Sequence, residues 1–181
     1  MRAPIGTFDV AHLATDRREL LPPPVAAAVT PDMLYVDTDP AKADTAVFAE
    51  TYGADLLAAS ANCVVVAGKR GQDVTLAACL VLSTTRVDVN GAVRRHLGSR
   101  KASFAPMDTA VGETGMEYGG ITPVGLPTGW PLLVDAAVVE APHLVIGSGA
   151  RRGKLIVPGK TLAALPGAVV LEGLGLRIDT P

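Results

Sequence analysis

The chain has 181 residues, of which 49% are hydrophobic and 19% charged, enough apolar material for one sizeable core and too little charge for a disordered chain. Its formal net charge of −2 excludes a global basic field, so contact with a polyanion would have to use a local patch. Aromatic residues make up 4%, so the core must be built from Ala, Val and Leu.

Residues 7–21 read as an N-terminal helix that Thr7 caps and the Pro22-Pro23-Pro24 run ends. A linker or edge segment follows to Pro31, then a short strand over 33–36. Asp39-Pro40 is a helix start, with Asp as cap and Pro in the first turn. That helix should run to Tyr52 and stop at Gly53. Two strands, 62–67 and 73–82, are predicted around a turn at 68–72. The second is apolar on both faces and should be central. A helix over 87–97 closed by Gly98, a strand at 103–104 and a helix over 106–111 come next. Strands over 131–134, 143–146 and 154–157, a helix over 161–165 and a strand over 168–171 complete the pattern. Strands outnumber helices and there is no regular βαβ spacing. The expected fold class is therefore α+β, a single domain with a curved, mostly antiparallel mixed, barrel-like sheet surrounded by helices.

Several chemistries are absent. There is no GxSxG, HExxH or phosphate-binding P-loop pattern. The histidines His12, His96 and His143 are isolated and suit structural roles. Cys63 and Cys79 have no metal-ligand spacing, so no metal and no organic cofactor is implied. Both read as buried reduced thiols, although a hairpin turning near Gly71 would set them opposite each other, in reach of a disulfide. The start of the chain lacks a signal-peptide pattern and the apolar runs are too short to span a bilayer, so the expected compartment is the cytoplasm, without membrane contact.

The most informative stretch is Gly119-Gly120-Ile121-Thr122-Pro123-Val124-Gly125. Adjacent glycines permit close approach of a ligand or another backbone. Pro123 stiffens the loop and Thr122 adds a hydroxyl. A hairpin connection uses the same residues. Two basic clusters stand out beside it. Arg94-Arg95 with Arg100-Lys101 follows one predicted helix, and Arg151-Arg152 with Lys154 flanks the Gly147-Ser148-Gly149 turn. Either can meet phosphate through charge and backbone N–H groups, and either can be a solvated face.

The order of these pieces resembles the YbaK/ProX family, the aminoacyl-tRNA deacylase domain also associated with prolyl-tRNA synthetases. Residues 62–66 look like its first core strand. Leu97-Gly98-Ser99-Arg100-Lys101 looks like its Leu-Gly-x-Lys-Lys element. Residues 114–125 match its Thr-Gly-x-x-x-Gly-Gly-x-Ser/Thr-Pro-x-Gly signature. The resemblance spans 33–171, which makes 1–30 an N-terminal helical extension and 31–181 the deacylase-like domain.

It implies hydrolysis of the ester in a mischarged aminoacyl-tRNA, in trans, with a synthetase as a further partner. In that reading Asn62, Gly119, Gly120 and Thr122 are the catalytic positions, with loop amides holding the oxyanion. Tyr35, Pro123, Asp135 and Ser148 bind substrate, Asp135 through the amino group. Arg151, Arg152 and Lys154 bind tRNA. Many family members carry a lysine where Asn62 aligns. Asparagine hydrogen-bonds but has no charge, which leaves a non-catalytic tRNA- or ligand-binding module of the same fold as the alternative.

Overall fold

The structure is a computed structural model that describes residues 1–178. In chain order the elements are β1 (Ala11–Leu13), α1 (Pro23–Ala28), β2 (Leu34–Val36), α2 (Thr45–Tyr52), β3 (Ala61–Arg70), β4 (Asp73–Leu82) and β5 (Thr85–Val87). Then come α3 (Arg94–His96), β6 (Lys101–Phe104), α4 (Met107–Thr114), β7 (Leu132–Asp135) and α5 (Ala136–Glu140). Last are β8 (Leu144–Gly147), β9 (Lys154–Val157), α6 (Gly159–Ala163), β10 (Ala168–Leu171) and β11 (Gly175–Arg177).

Among the described residues the strands form three sheets, with orders β1-β2-β9-β8, β10-β7-β4-β3-β6 and β11-β5. All pairings are antiparallel except β4–β7 and β7–β10. The α+β class and the antiparallel bias agree with the sequence, but none of these sheets closes into a barrel. The two larger sheets meet instead at a bridge between Ser60 and Val145.

Side-chain alternation explains the layering. Ala78 and Leu80 of β4 join Leu132 and Val134 of β7 and Leu155 of β9 in a cluster that gathers residues from both large sheets. Ala77, Cys79 and Val81 point the other way, into a cluster with Val66, Val93 and Leu174. β4 is thus buried on both faces and lies third in its five-stranded sheet. The β3–β4 hairpin turns at Gly71, whose φ of +62 few side chains would accept. Its register pairs Cys63 with Leu80 and Val64 with Cys79. The two thiols therefore lie one position apart and on opposite faces, and both are free. Burial pushes both thiols up, Cys79 to about 12, so neither is a thiolate nucleophile at neutral pH.

The expected helix over 7–21 is absent. Phe8, Ala11 and Ala14 are buried at the three-residue spacing of a helix face, yet their backbone is extended or in short 3₁₀ turns. Ala11 N–H donates to Met1 O at 2.8 Å and Ala14 N–H to Met33 O at 2.9 Å. Pairing with the edge of β2 satisfies the backbone and overrides the local helix propensity of this segment. Phe8 and Ala11 pack with Phe48 and Ile156, and Val25 of α1 enters the central cluster. The first thirty residues are built into the same body as the rest.

Downstream, the 87–97 segment is split. Val87 ends β5, and Asp88 accepts from Gly91 and Ala92 N–H, both at 3.0 Å, to start a helical turn that leads into α3. α4 outlasts its predicted end and stops where Gly115 takes φ +67. Four short elements, α1, β5, α5 and β11, carry no clear signal in the sequence, and α1 stands where a linker or edge segment was expected.

Candidate functional site

A cavity of about 540 Å³ opens where the two large sheets meet, within the size range of small-molecule sites. Asn62–Val65 of β3 and Val145–Gly147 of β8 form two of its walls. Met107 and Ala110 of α4, Thr45 and Phe48 of α2, and Tyr118, Gly119 and Ile121 of the glycine loop complete it. The lining is mostly apolar, and it contains no histidine and no carboxylate.

Its one charged lining residue is Lys154, which enters from β9. β9 pairs Lys154 with Gly147 of β8, and both residues line the cavity. The ammonium nitrogen lies 5.7 Å from the centre of the Phe48 ring, a cation–π position. Burial, helped by repulsion from Arg151, lowers the Lys154 pKa. Among the described residues the one ion pair is Arg152–Asp37, so no carboxylate balances Lys154. Two serines line the cavity. Ser60 Oγ donates to Leu56 O at 2.6 Å, whereas Ser83 Oγ is buried with no partner. A buried hydroxyl without a partner costs roughly 1–3 kcal/mol.

The glycine loop is held from behind by backbone. Gly120 N–H donates to Glu117 O at 3.0 Å, and Gly149 N–H donates to Gly120 O at 2.7 Å. A Cβ on Gly120 would collide with the backbone of Ala150, and one on Gly147 would lie 2.6 Å from Ile121 O. The adjacent glycines thus let the loop lie directly on the 147–150 turn. Gly120 N–H is already bonded, so it is not a free oxyanion donor. Thr122 is fully buried, its hydroxyl has no partner, and its N–H faces Met116 Sδ at 3.5 Å. Pro123 is also buried and away from the cavity. From the far side, Pro22 and Val25 pack against Gly149.

Of the positions singled out in the sequence, the cavity brings together Asn62, Gly119 and Lys154. Asp135 lies on β7, two strands from β3, about 10 Å away by strand spacing, and its Oδ2 faces Gly175. It does not line the cavity where an amino group would sit. Tyr35 is 1% exposed in the central cluster beneath Gly153, because β2 is an interior strand of its sheet. Burial and the Asp37 charge raise its pKa. Ser148 is buried, and its Oγ lies 3.1 Å from both Ala150 O and Arg152 O, clamping the turn.

The second basic cluster is dispersed. Arg152 donates to both oxygens of Asp37, at 2.8 and 2.7 Å, and this fork holds the Asp37 carboxyl below its usual range. Arg151 reaches over Gly119 and donates to Pro40 O at 3.3 Å, while Lys154 is inside the cavity. Ser83, Phe48, Phe104 and Tyr118 were not legible as site residues. A lone hydroxyl and scattered aromatics carry no spacing signal before the strands bring them together.

No helix among the described residues is long and apolar enough to cross a membrane. No cluster of three or more His, Cys, Asp or Glu there could hold a metal ion.

A search of curated proteins finds no significant match. Among solved structures, the chain resembles a candidate trans-editing enzyme for prolyl-tRNA synthetase, with TM-score 0.67, 22% identity, and 92% of this chain and 93% of that one covered. A scaffold from computational epitope grafting gives TM-score 0.66 at 22% identity, covering 92% and 94%. A protein described only as hypothetical gives 0.58 at 23%, covering 66% and 75%. At these identities the likeness is one of fold. The sequence itself matches the aminoacyl-tRNA editing domain over residues 39–165, and the chain therefore belongs to the aminoacyl-tRNA editing domain family.

Proposed function

We propose that the chain is a free-standing aminoacyl-tRNA deacylase that hydrolyses the ester of a mischarged tRNA in this cavity. One observation carries the reading: a mostly apolar cavity walled by the glycine loop holds an uncompensated ammonium, an unpartnered hydroxyl and an amide, from Lys154, Ser83 and Asn62. Such a site accepts a small acyl group and offers donors to its carbonyl. Editing is needed because a synthetase pocket discriminates a missing methylene by only about 1–3 kcal/mol.

The reaction asks little of the side chains. Water adds to the ester carbonyl, the bond from the acyl carbon to the ribose oxygen breaks, and that oxygen takes up a proton. The neighbouring ribose hydroxyl orients the water, which fits a lining without histidine or carboxylate. Lys154 and the Ser83 hydroxyl face the oxygen on which charge develops. Asn62 positions the ester or ribose by hydrogen bonds. Gly119 keeps the mouth open, with Arg151 above it to meet the terminal phosphate. Gly120, Thr122 and Pro123 shape the loop from behind, and Ser148 and Tyr35 support it indirectly.

The test is a panel of tRNAs mischarged with small labelled amino acids, incubated with purified protein. Release of label from at least one, above buffer, is expected. Binding of tRNA with no hydrolysis of any would sink the deacylase and leave a binding module, with Asn62 marking the lost charge.

A further inference from the structure

A second hollow, of about 560 Å³, lies along the open edge of the five-stranded sheet. Lys69 of β3, Lys101 of β6, Arg94 of α3 and Arg100 line it with no carboxylate. All four are exposed. The antiparallel register sets Lys69 directly opposite Lys101, an arrangement that destabilises a sheet by like-charge repulsion. None of the four has an acidic partner among the described residues. The groove is also fixed in shape, since Arg100 N–H donates to Lys69 O at 2.9 Å and Arg94 Nε to Asn90 O at 2.9 Å. In a chain of net charge −2, four cations held together at a cost to the sheet call for a partner carrying repeated negative charge.

The groove and the cavity are cut into the same two strands, β3 and β6. β3 lines the cavity with Asn62–Val65 and the groove with Ala67 and Lys69. From Val65 to Lys69 is about 13 Å of strand. β6 does the same, with Lys101, Ala102 and Ser103 in the groove and Phe104 in the cavity wall. Phe104 is 59% exposed and Tyr118, elsewhere on the cavity lining, is 57% exposed. Exposed aromatics beside a basic track are the usual platform for unpaired bases.

We infer that this edge is the track for the 3′ end of an RNA: backbone phosphates lie over Lys69, Arg94, Arg100 and Lys101, and the terminal base stacks on Phe104. The acyl group that follows would enter the cavity. What enters the cavity rests on the deacylase reading, whereas phosphate binding in the groove does not.

The experiment measures binding of uncharged tRNA to the full chain across a potassium chloride series, by fluorescence anisotropy. It compares the parent with Lys69→Gln/Lys101→Gln, Arg94→Gln/Arg100→Gln, the fourfold variant and Phe104→Ala. The fourfold variant should bind at least about tenfold more weakly at low salt, and its salt slope should fall by about three, roughly 0.7 for each of the four lost contacts to a single strand. Phe104→Ala should weaken binding about tenfold without changing the slope. Lys69→Gln/Lys101→Gln removes facing charges, so its melting temperature should not fall. Arg2→Gln/Arg177→Gln, an equal charge loss at exposed sites outside the groove, should leave affinity within twofold. Unchanged affinity and slope in the fourfold variant overturn the proposal, as does a parent that binds anionic vesicles but not RNA. Hydrolysis of a small aminoacyl ester separates the two readings. If the groove variants lose tRNA binding but the parent hydrolyses no ester, the track stands and the deacylase falls. If the parent hydrolyses mischarged tRNA and the groove variants bind as it does, the reverse holds.

Discussion

The cavity and the basic groove are cut into the same two strands, yet their chemistry is opposite. At the Asn62–Val65 end of β3 the walls are mostly apolar and a single half-buried ammonium enters from β9. At the Lys69 end four cations stand in solvent. The effective dielectric differs accordingly. One partly desolvated charge acts strongly on a reacting atom, whereas exposed charges act by number and are screened by salt. One sheet edge can thus divide the labour, with number of charges holding a polyanion and desolvation sharpening a single charge for chemistry.

Substitutions that touch only one of the two hollows test that division. The largest effect belongs to Lys154→Met. It should lower kcat/KM on mischarged tRNA about 100-fold, as loss of an oxyanion donor does, while affinity for uncharged tRNA stays near that of the parent. Adding Asn62→Lys to it brings a cation into the same cavity from β3 and should recover part of the rate. No loss in Lys154→Met would remove the lysine from the chemistry. Next come the tenfold losses of affinity expected of the groove variants, which should leave small-ester hydrolysis intact.

Gly120→Ala sharpens the comparison from the cavity side. A methyl there meets the Ala150 backbone, so thermal unfolding should show a loss of about 1–3 kcal/mol. The salt slope for tRNA should not move. The smallest effect is a pH dependence. Lys154 is easier to deprotonate in the fold than in the unfolded chain, where its ordinary value is 10.5. Below the folded value both states are charged and the full cost of burying the ammonium is present. Between the two values the unfolded state holds more protons, so stability rises with pH, and above 10.5 the cost is gone. Lys154→Met should therefore melt above the parent at pH 7, and the gap should narrow toward pH 10.5. A gap that is constant with pH would mean that the ammonium is not desolvated.

Hairpin β3–β4, the central place of β4, the strand at 154–157 and the helix stop at Gly53 were legible because each rests on local chemistry: alternation, turn glycines and caps. The N-terminal segment misled because the Thr7 cap and the Pro22-Pro23-Pro24 stop frame it like a helix, while the edge of β2 decided its conformation. The glycine loop was legible as a motif, but not the use of its glycines. They admit the 147–150 backbone rather than leaving Gly120 N–H free for a ligand. Lys154 was legible as a basic residue, but not as the charge within the cavity.

By itself the sequence determined the family, the α+β class and the strands that carry the site, because these follow from patterns a few residues long. Only the tertiary structure decided which polar groups share a cavity, and it chose Lys154 and Ser83 over Asp135 and Tyr35. The reason is physical: a side chain's solvent and charged neighbours are set by strand order and register, which join residues some ninety positions apart and leave no trace in local spacing.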